Sequence, residues 1–122
     1  MTFAYWMLIA AAMLPYLTIA LAKSAGGIDN RAPRPSLESL SGWRQRADWA
    51  HRNHFEAFPA FAAAIFVAEL THAPQSRIDQ LAGIFALLRV IYTALYVAEP
   101  ILRSIVWSLG LIAVIWLFVL GV

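Results

Sequence analysis

At 122 residues, 61% of them hydrophobic and 13% charged, the chain is too apolar for a soluble domain, which is typically about 45–50% apolar. Its mean hydropathy of +0.68 points the same way, so one compact integral membrane domain over residues 1–122 is expected. A formal charge of +2 without long basic runs argues against a nucleic-acid partner, and the absence of cysteine removes disulfides, thiolate metal sites and a Cys nucleophile.

Crossing a bilayer takes about 20 mostly apolar residues. The pattern predicts an all-α, four-helix membrane bundle, with helices over about 2–22, 42–71, 77–98 and 101–121. The first segment, Thr2 to Ala22, is uncharged and carries Pro15. It lacks a positive n-region and its apolar stretch is long, so a retained helix is expected rather than a signal peptide. From Lys23 to about Ser41, Gly26-Gly27 with Pro33 and Pro35 predict an irregular loop, or in part the start of a protruding second helix. Ser41 is the expected cap of the second helix, with Arg44 to Arg52 forming a polar collar. Pro59 is expected to kink that helix just below the collar. The third segment, Ile78 to Ala98, carries Asp79 and Arg89, and the fourth, Ser104 to Val122, has no charge.

Basic residues are unevenly shared. Lys23, Arg31, Arg34, Arg44, Arg46, Arg52 and Arg103 fall on one side and Arg77 alone on the other, seven against one. That bias predicts cytoplasmic loops between helices 1–2 and 3–4, with both termini outside.

The collar gathers Arg44, Arg46, Asp48, His51, Arg52, Asn53, His54 and Glu56 where the second helix meets the membrane. Ionisable groups at such a depth are costly and usually functional. Residues three and four apart share a helix face, so Arg46, Trp49, Asn53, Glu56 and Ala60 form one stripe. Arg52 stands four before Glu56 and is a candidate partner for it. On the third helix, Arg89, Tyr92, Thr93 and Tyr96 share a face. Arg89 lies about 13 Å from the Ala98 end at the rise of a helix, so it should face protein or a wet cleft, or pair with Glu56. Tyr96 also suits an interfacial aromatic belt. Arg103-Ser104 opens the fourth helix, where free backbone N–H groups favour an anion; a simple positive-inside anchor is the alternative. His51 and His54 with Glu56 make a poor metal set, because His51 and Glu56 point to different faces, and no metal is expected. Glu69 and Asp79 read as snorkelling or capping groups near the other surface.

These residues resemble the membrane-associated proteins in eicosanoid and glutathione metabolism, the MAPEG superfamily, in a bacterial-type form. The likeness covers most of the chain. It is sharpest in Ala50-His-Arg-Asn-His-Phe-Glu-Ala-Phe-Pro-Ala-Phe61, with its Asn, then Glu three later, then Pro three after that. Arg89 followed by Tyr96 and then Arg103-Ser104 is the second match. The resemblance implies a homotrimer that binds glutathione as cofactor between neighbouring subunits, near the cytoplasmic ends of the helices. It implies that Arg52, Asn53 and Glu56 hold the tripeptide, that Arg89, Tyr92 and Tyr96 complete the pocket, and that Arg103 with Ser104 stabilises the thiolate. It also implies an apolar electrophile as second substrate, a lipid surround and a bacterial inner membrane. The chain departs from the pattern at Trp49, where glutathione-using members commonly have arginine, at Tyr92, and at Trp107, where a tyrosine often follows. Arg46, one turn before Trp49, is the candidate replacement charge.

The leading expectation is therefore a membrane-bound glutathione-dependent transferase or peroxidase. The alternative is a non-catalytic protein of the same fold that binds lipid or a protein partner. A small transporter is a third reading, weakened because the first helix holds no carboxylate.

Overall fold

The structure, a computed structural model, describes residues 1–98 and 101–122. The Glu99-Pro100 part of the last connection lies outside the described residues. Five helices follow one another: α1 (Phe3–Lys23), α2 (Pro33–Glu38), α3 (Gly42–Leu70), α4 (Gln75–Ala98) and α5 (Arg103–Val119). Among the described residues there is no strand, and the all-α class expected from composition is the class observed.

α2 is the element that stands apart from the four long helices. Pro33 occupies its first turn, where the missing N–H is no loss and the fixed φ already suits a helix. It lasts only six residues and, among the described helices, packs on α3 alone. Gly42, at φ +62, supplies the left-handed backbone that turns the chain from α2 into α3. Ser41 stands at the N-cap of α3, but its side chain makes no capping hydrogen bond.

The four long helices run up and down. α3 and α4 form the centre, each touching the other and both α1 and α5, while α1 and α5 flank them without meeting among the described residues. The packed seam is made of small and aromatic residues: Ala64, Ala68, Ala82 and Ala113 are buried, and Phe61 stacks on Phe85 with ring centroids 4.0 Å apart. Alanines let helix backbones approach closely, which is how helices associate where lipid tails are as apolar as any side chain.

The outward faces of α1 and α5 are apolar and open. Trp6, Ile9, Leu17, Ile105, Ile112 and Trp116 are all exposed. A soluble monomer rarely shows so much contiguous apolar surface. α1 and α4 are long and apolar enough to cross a membrane, and α5 is a shorter apolar helix. α3 is the most polar of the four long helices, because its first three turns are the collar.

The two ends of the bundle differ. At one, Asp79 on α4 accepts the backbone N–H of Ala4 at 2.8 Å, and a carboxylate at a helix N-terminus opposes the partial positive charge there. Thr2 adds its side-chain oxygen to the Tyr5 N–H, so the start of α1 is fastened twice. The other end collects the guanidinium groups. Arg44 donates to the carbonyls of Ala22 and Gly26 and ties the end of α1 to the collar.

Candidate functional site

The collar of α3 meets the C-terminal half of α4 through Arg89, which is buried at 4% exposure. Its Nη2 donates to Asn53 Oδ1 at 2.8 Å, and its Nε donates to His54 Nδ1 at 3.1 Å. A guanidinium has no acceptor, so His54 Nδ1 must carry the lone pair. The proton then sits on Nε2, which donates to Thr93 Oγ1 at 2.7 Å. Thr93 in turn donates to the Arg89 carbonyl at 3.0 Å. The loop closes on itself: the buried His54 is neutral, with its two ring nitrogens taken by Arg89 and Thr93. The guanidinium also lies 4.3 Å over the Tyr92 ring, a cation–π contact that gains strength away from water.

This network sets the next residue out. With Asn53 Oδ1 held by Arg89, the amide nitrogen faces Glu56 and donates to Oε2 at 3.1 Å. Glu56 itself is exposed. Its carboxylate is thus steered by a chain that begins in the bundle interior, and it stays open to a ligand.

Arg103 is the counterpart at the head of α5. Its guanidinium carbon lies 4.4 Å over the Tyr96 ring. Its Nε is buried and has no hydrogen-bond partner among the described residues. Such orphaned donors are rare and call for an explanation.

These groups surround a cleft of about 260 Å³, lined by Trp49, Arg52, Asn53, Glu56, Tyr92, Tyr96 and Arg103. The rings of Tyr92 and Tyr96 meet edge to face at 5.4 Å, and Trp49 lies 6.4 Å from Tyr96. Asn53 and Glu56 also line a second hollow of about 180 Å³, whose walls are Ala57, Ala60, Phe85, Arg89, Trp107, Gly110, Leu111 and Val114. A polar, cationic cleft therefore abuts an apolar slot across two shared side chains. Small residues make the slot: a Cβ on Gly110 would lie 3.9 Å from the Phe85 ring.

Most of the residues singled out from sequence come together here: Arg52, Asn53, Glu56, Tyr92, Tyr96 and Arg103 in the cleft, with Arg89 behind it. Four expectations differ in detail. Arg52 does not pair with Glu56; its Nε meets Asp48 Oδ2 at 3.1 Å, and its Nη2 lies 3.9 Å from Glu38 on α2. The Arg46 guanidinium does not line the cleft beside Trp49; it forks onto the Val97 carbonyl at 2.8 and 3.1 Å. A cation at that place suits the negative end of α4. Ser104 follows Arg103 in α5 and is exposed, and its carbonyl accepts from Ser108. The pairing of Arg89 with Glu56 is indirect, through Asn53. No group of three metal-ligating side chains forms among the described residues.

His54 and Thr93 are the members that sequence reasoning passed over as site residues. Part of their signal was present: Thr93 shares the Arg89 face at i+4. The apolar slot was missed: Trp107 stood out only as a departure from the family pattern, and nothing in the sequence singled out Phe85 or Gly110.

Fold and site together define an integral membrane helical bundle with an anion-ready cleft beside an apolar slot. The chain belongs to the MAPEG family, which it matches over residues 3–122. Membership ties it, at the level of the superfamily, to membrane-associated, glutathione-related transferase or peroxidase chemistry. No curated protein and no solved structure matches it.

Proposed function

We propose that the protein is a membrane-bound, thiol-dependent transferase or peroxidase acting on apolar electrophiles, with Arg103 stabilising the thiolate. The observation that carries this is the buried Arg103 Nε, unpartnered among the described residues, beside a cleft that shares Asn53 and Glu56 with an apolar slot. Glutathione is the thiol that the family implies, and the donor set suits its parts. Arg103 offers a cation to the sulfur, Glu56 offers an acceptor to the amine, and Tyr92 and Tyr96 offer hydroxyls.

A thiol supplies the nucleophile that this cysteine-free chain lacks. The protein's share is electrostatic. A guanidinium next to sulfur raises the thiolate fraction at neutral pH, and a preset cation in a poorly hydrated site reorganises little as charge moves. Tyr96 backs the Arg103 guanidinium with its ring and fixes its plane. The slot places an apolar carbon centre near the sulfur while excluding water. In a conjugation, a carbon–sulfur bond forms and the electrophile's leaving group or opened oxygen takes up the displaced electron pair. The thiol proton goes to solvent.

Cytoplasmic placement of the cleft, an inner-membrane location, and a homotrimer in which a neighbour closes the open side belong to the same proposal. The Lys/Arg bias supports the orientation. The test is direct. Purified protein in nanodiscs should show a thiolate absorbance band and a thermal shift with millimolar thiol, and conjugation of an apolar aryl halide. Arg103→Ala should remove the band and slow conjugation about 100-fold. No band, no shift and an unchanged rate in Arg103→Ala would sink the reading and leave a non-catalytic protein of the same fold.

A further inference from the structure

Arg52 lies where two spaces meet. On one side it lines the cleft with Arg103, and on the other it lines a separate hollow between α2 and α3, with Arg34, Glu38, Asp48 and His51. Its side chain is half-exposed. A long side chain left loose in such a place must be ordered each time a ligand binds, and that ordering weakens affinity. Among the described residues its guanidinium has one partner within hydrogen-bond distance: Nε meets Asp48 Oδ2 at 3.1 Å. Nη2 stays 3.9 Å from Glu38 Oε1, beyond the length of a hydrogen bond. The terminal edge of the fork is therefore open.

Asp48 is the unusual member of this group. It is 1% exposed, and a carboxylate buried that deeply is costly unless it is paired and hydrogen-bonded. Four residues before Arg52, it has the favourable acid-before-base order on a helix, and Oδ2 takes Nε. Oδ1 has no hydrogen-bond partner among the described residues; His51 Nδ1 stands 3.4 Å from it and is likewise without one. Stability alone leaves half of this carboxylate unexplained. What burial does supply is a fixed place and direction, so the Nε that Asp48 holds is fixed too. A carboxylate gripping Nε from behind leaves Nη1 and Nη2, the pair that can meet an incoming carboxylate with two parallel hydrogen bonds. Without that grip, Glu38 on α2 is close enough to draw the guanidinium out of the cleft.

We infer that Asp48 is a positioning residue of the thiol site: it holds Arg52 by Nε so that the terminal nitrogens receive a carboxylate of the ligand. The inference rests on the thiol-dependent reading above and narrows the ligand to thiols that carry a carboxylate. The sulfur sits at Arg103, the amine at Glu56 and the carboxylate at Arg52. Asp48 touches no ligand atom and acts through Arg52 alone.

The experiment compares glutathione with its diethyl ester, in binding and in conjugation of an aryl halide, with the protein in nanodiscs. The variants are Arg52→Gln, Asp48→Ala, Asp48→Asn and the double variant of Asp48→Ala with Arg52→Gln. Wild type should prefer the acid to the ester by about tenfold, the value of one charge-assisted pair. Arg52→Gln should remove that preference. Asp48→Ala should remove most of it by raising the KM for glutathione, while the KM for the ester, kcat and the Arg103-dependent thiolate band stay near wild type. Asp48→Asn keeps an oxygen for Nε and should keep most of the preference. In the Arg52→Gln background, Asp48→Ala should change nothing further, because the two residues act as one unit. Asp48→Ser, whose hydroxyl is too short to hold Nε, takes the place of the alanine variant where alanine does not fold. The inference is overturned, with the thiol-dependent reading intact, if wild type shows no acid preference or if the preference survives Asp48→Ala. Equal losses for acid and ester, a loss in Asp48→Asn as large as in Asp48→Ala, or a further loss in the double variant overturns it as well. Absence of an Arg103-dependent signal with every thiol overturns both.

Discussion

Two arginines, each laid over a tyrosine ring, have opposite situations. Arg89, on α4, is engaged inside the bundle: Asn53 and His54 accept from its Nε and Nη2, Tyr92 lies under its guanidinium, and the ring of bonds closes through Thr93 back to its own carbonyl. Arg103, at the head of α5, has the same aromatic backing from Tyr96 but keeps a buried Nε without a partner among the described residues. The difference teaches how to tell a scaffold charge from a working one in a membrane bundle. A charge deep among helices must be satisfied by its own fold, because an unsatisfied one costs more than the packing around it returns. A charge left incomplete beside a cleft is one whose missing partner comes from outside.

The comparison breaks most visibly at Arg89. Arg89→Leu keeps the bulk but strands Asn53 Oδ1 and His54 Nδ1 without their donor. Removing one side of a buried polar network costs on the order of 3 kcal/mol, so unfolding in bicelles should show a large loss of stability. Arg103→Leu should do nearly the reverse. It removes one cation–π contact with Tyr96, worth about 1 kcal/mol, and the contact of the guanidinium with the Tyr92 hydroxyl. Stability should fall little, while thiolate absorbance vanishes. If both variants lose equal stability, the distinction between the two arginines fails.

His54 sharpens the point at a middle scale. Its two nitrogens accept from Arg89 and donate to Thr93. Glutamine also carries one acceptor and one donor at its tip, so His54→Gln should keep most of the stability. His54→Leu should lose about 2 kcal/mol, since a buried guanidinium nitrogen is left without an acceptor. Equal losses in the two variants would mean that ring volume matters and the hydrogen bonds do not. Thiol affinity adds a readout that packing alone would not move: His54→Leu should weaken amine recognition at Glu56, because Asn53 loses its fixed orientation.

Much of this arrangement is legible in the sequence. The all-α membrane class follows from composition, because lipid tolerates few charges and leaves helices as the simplest way to satisfy a backbone. Arg89, Tyr92 and Tyr96 follow from helical spacing, which puts them on one face. What spacing cannot supply is the choice among equal partners. Arg52 stands four residues from both Asp48 and Glu56, and only the structure shows that it takes Asp48. A signal for that choice existed: an acid four residues before a base pairs better on a helix than the reverse order, in keeping with the helix dipole. Arg46 had no such signal. Its partner is the carbonyl of Val97, 51 residues on, which comes within reach only after α3 and α4 pack. The apolar slot escaped notice for the same reason, since Phe85, Trp107 and Gly110 lie on two helices and share a wall only in three dimensions.

The smallest expected effects separate the two ends of the bundle. Arg46→Met leaves the Val97 carbonyl without its forked donor and removes a cation from the C-terminal end of α4. Asp79→Asn, at the far end, keeps an acceptor for the Ala4 N–H but removes the negative charge that favours the start of α1. Each should cost about 0.5–1 kcal/mol. Neither residue lines the cleft, so thiol affinity should stay within twofold of wild type in Asp79→Asn. Arg46→Met is the sharper case, because Arg46 sits one turn before Trp49 on the same stripe. If it serves only to anchor α4, thiol affinity there should also be unchanged. A loss of glutathione affinity in Arg46→Met beyond tenfold would mean that its guanidinium leaves Val97 when ligand binds and joins Arg52 and Arg103 in the cleft.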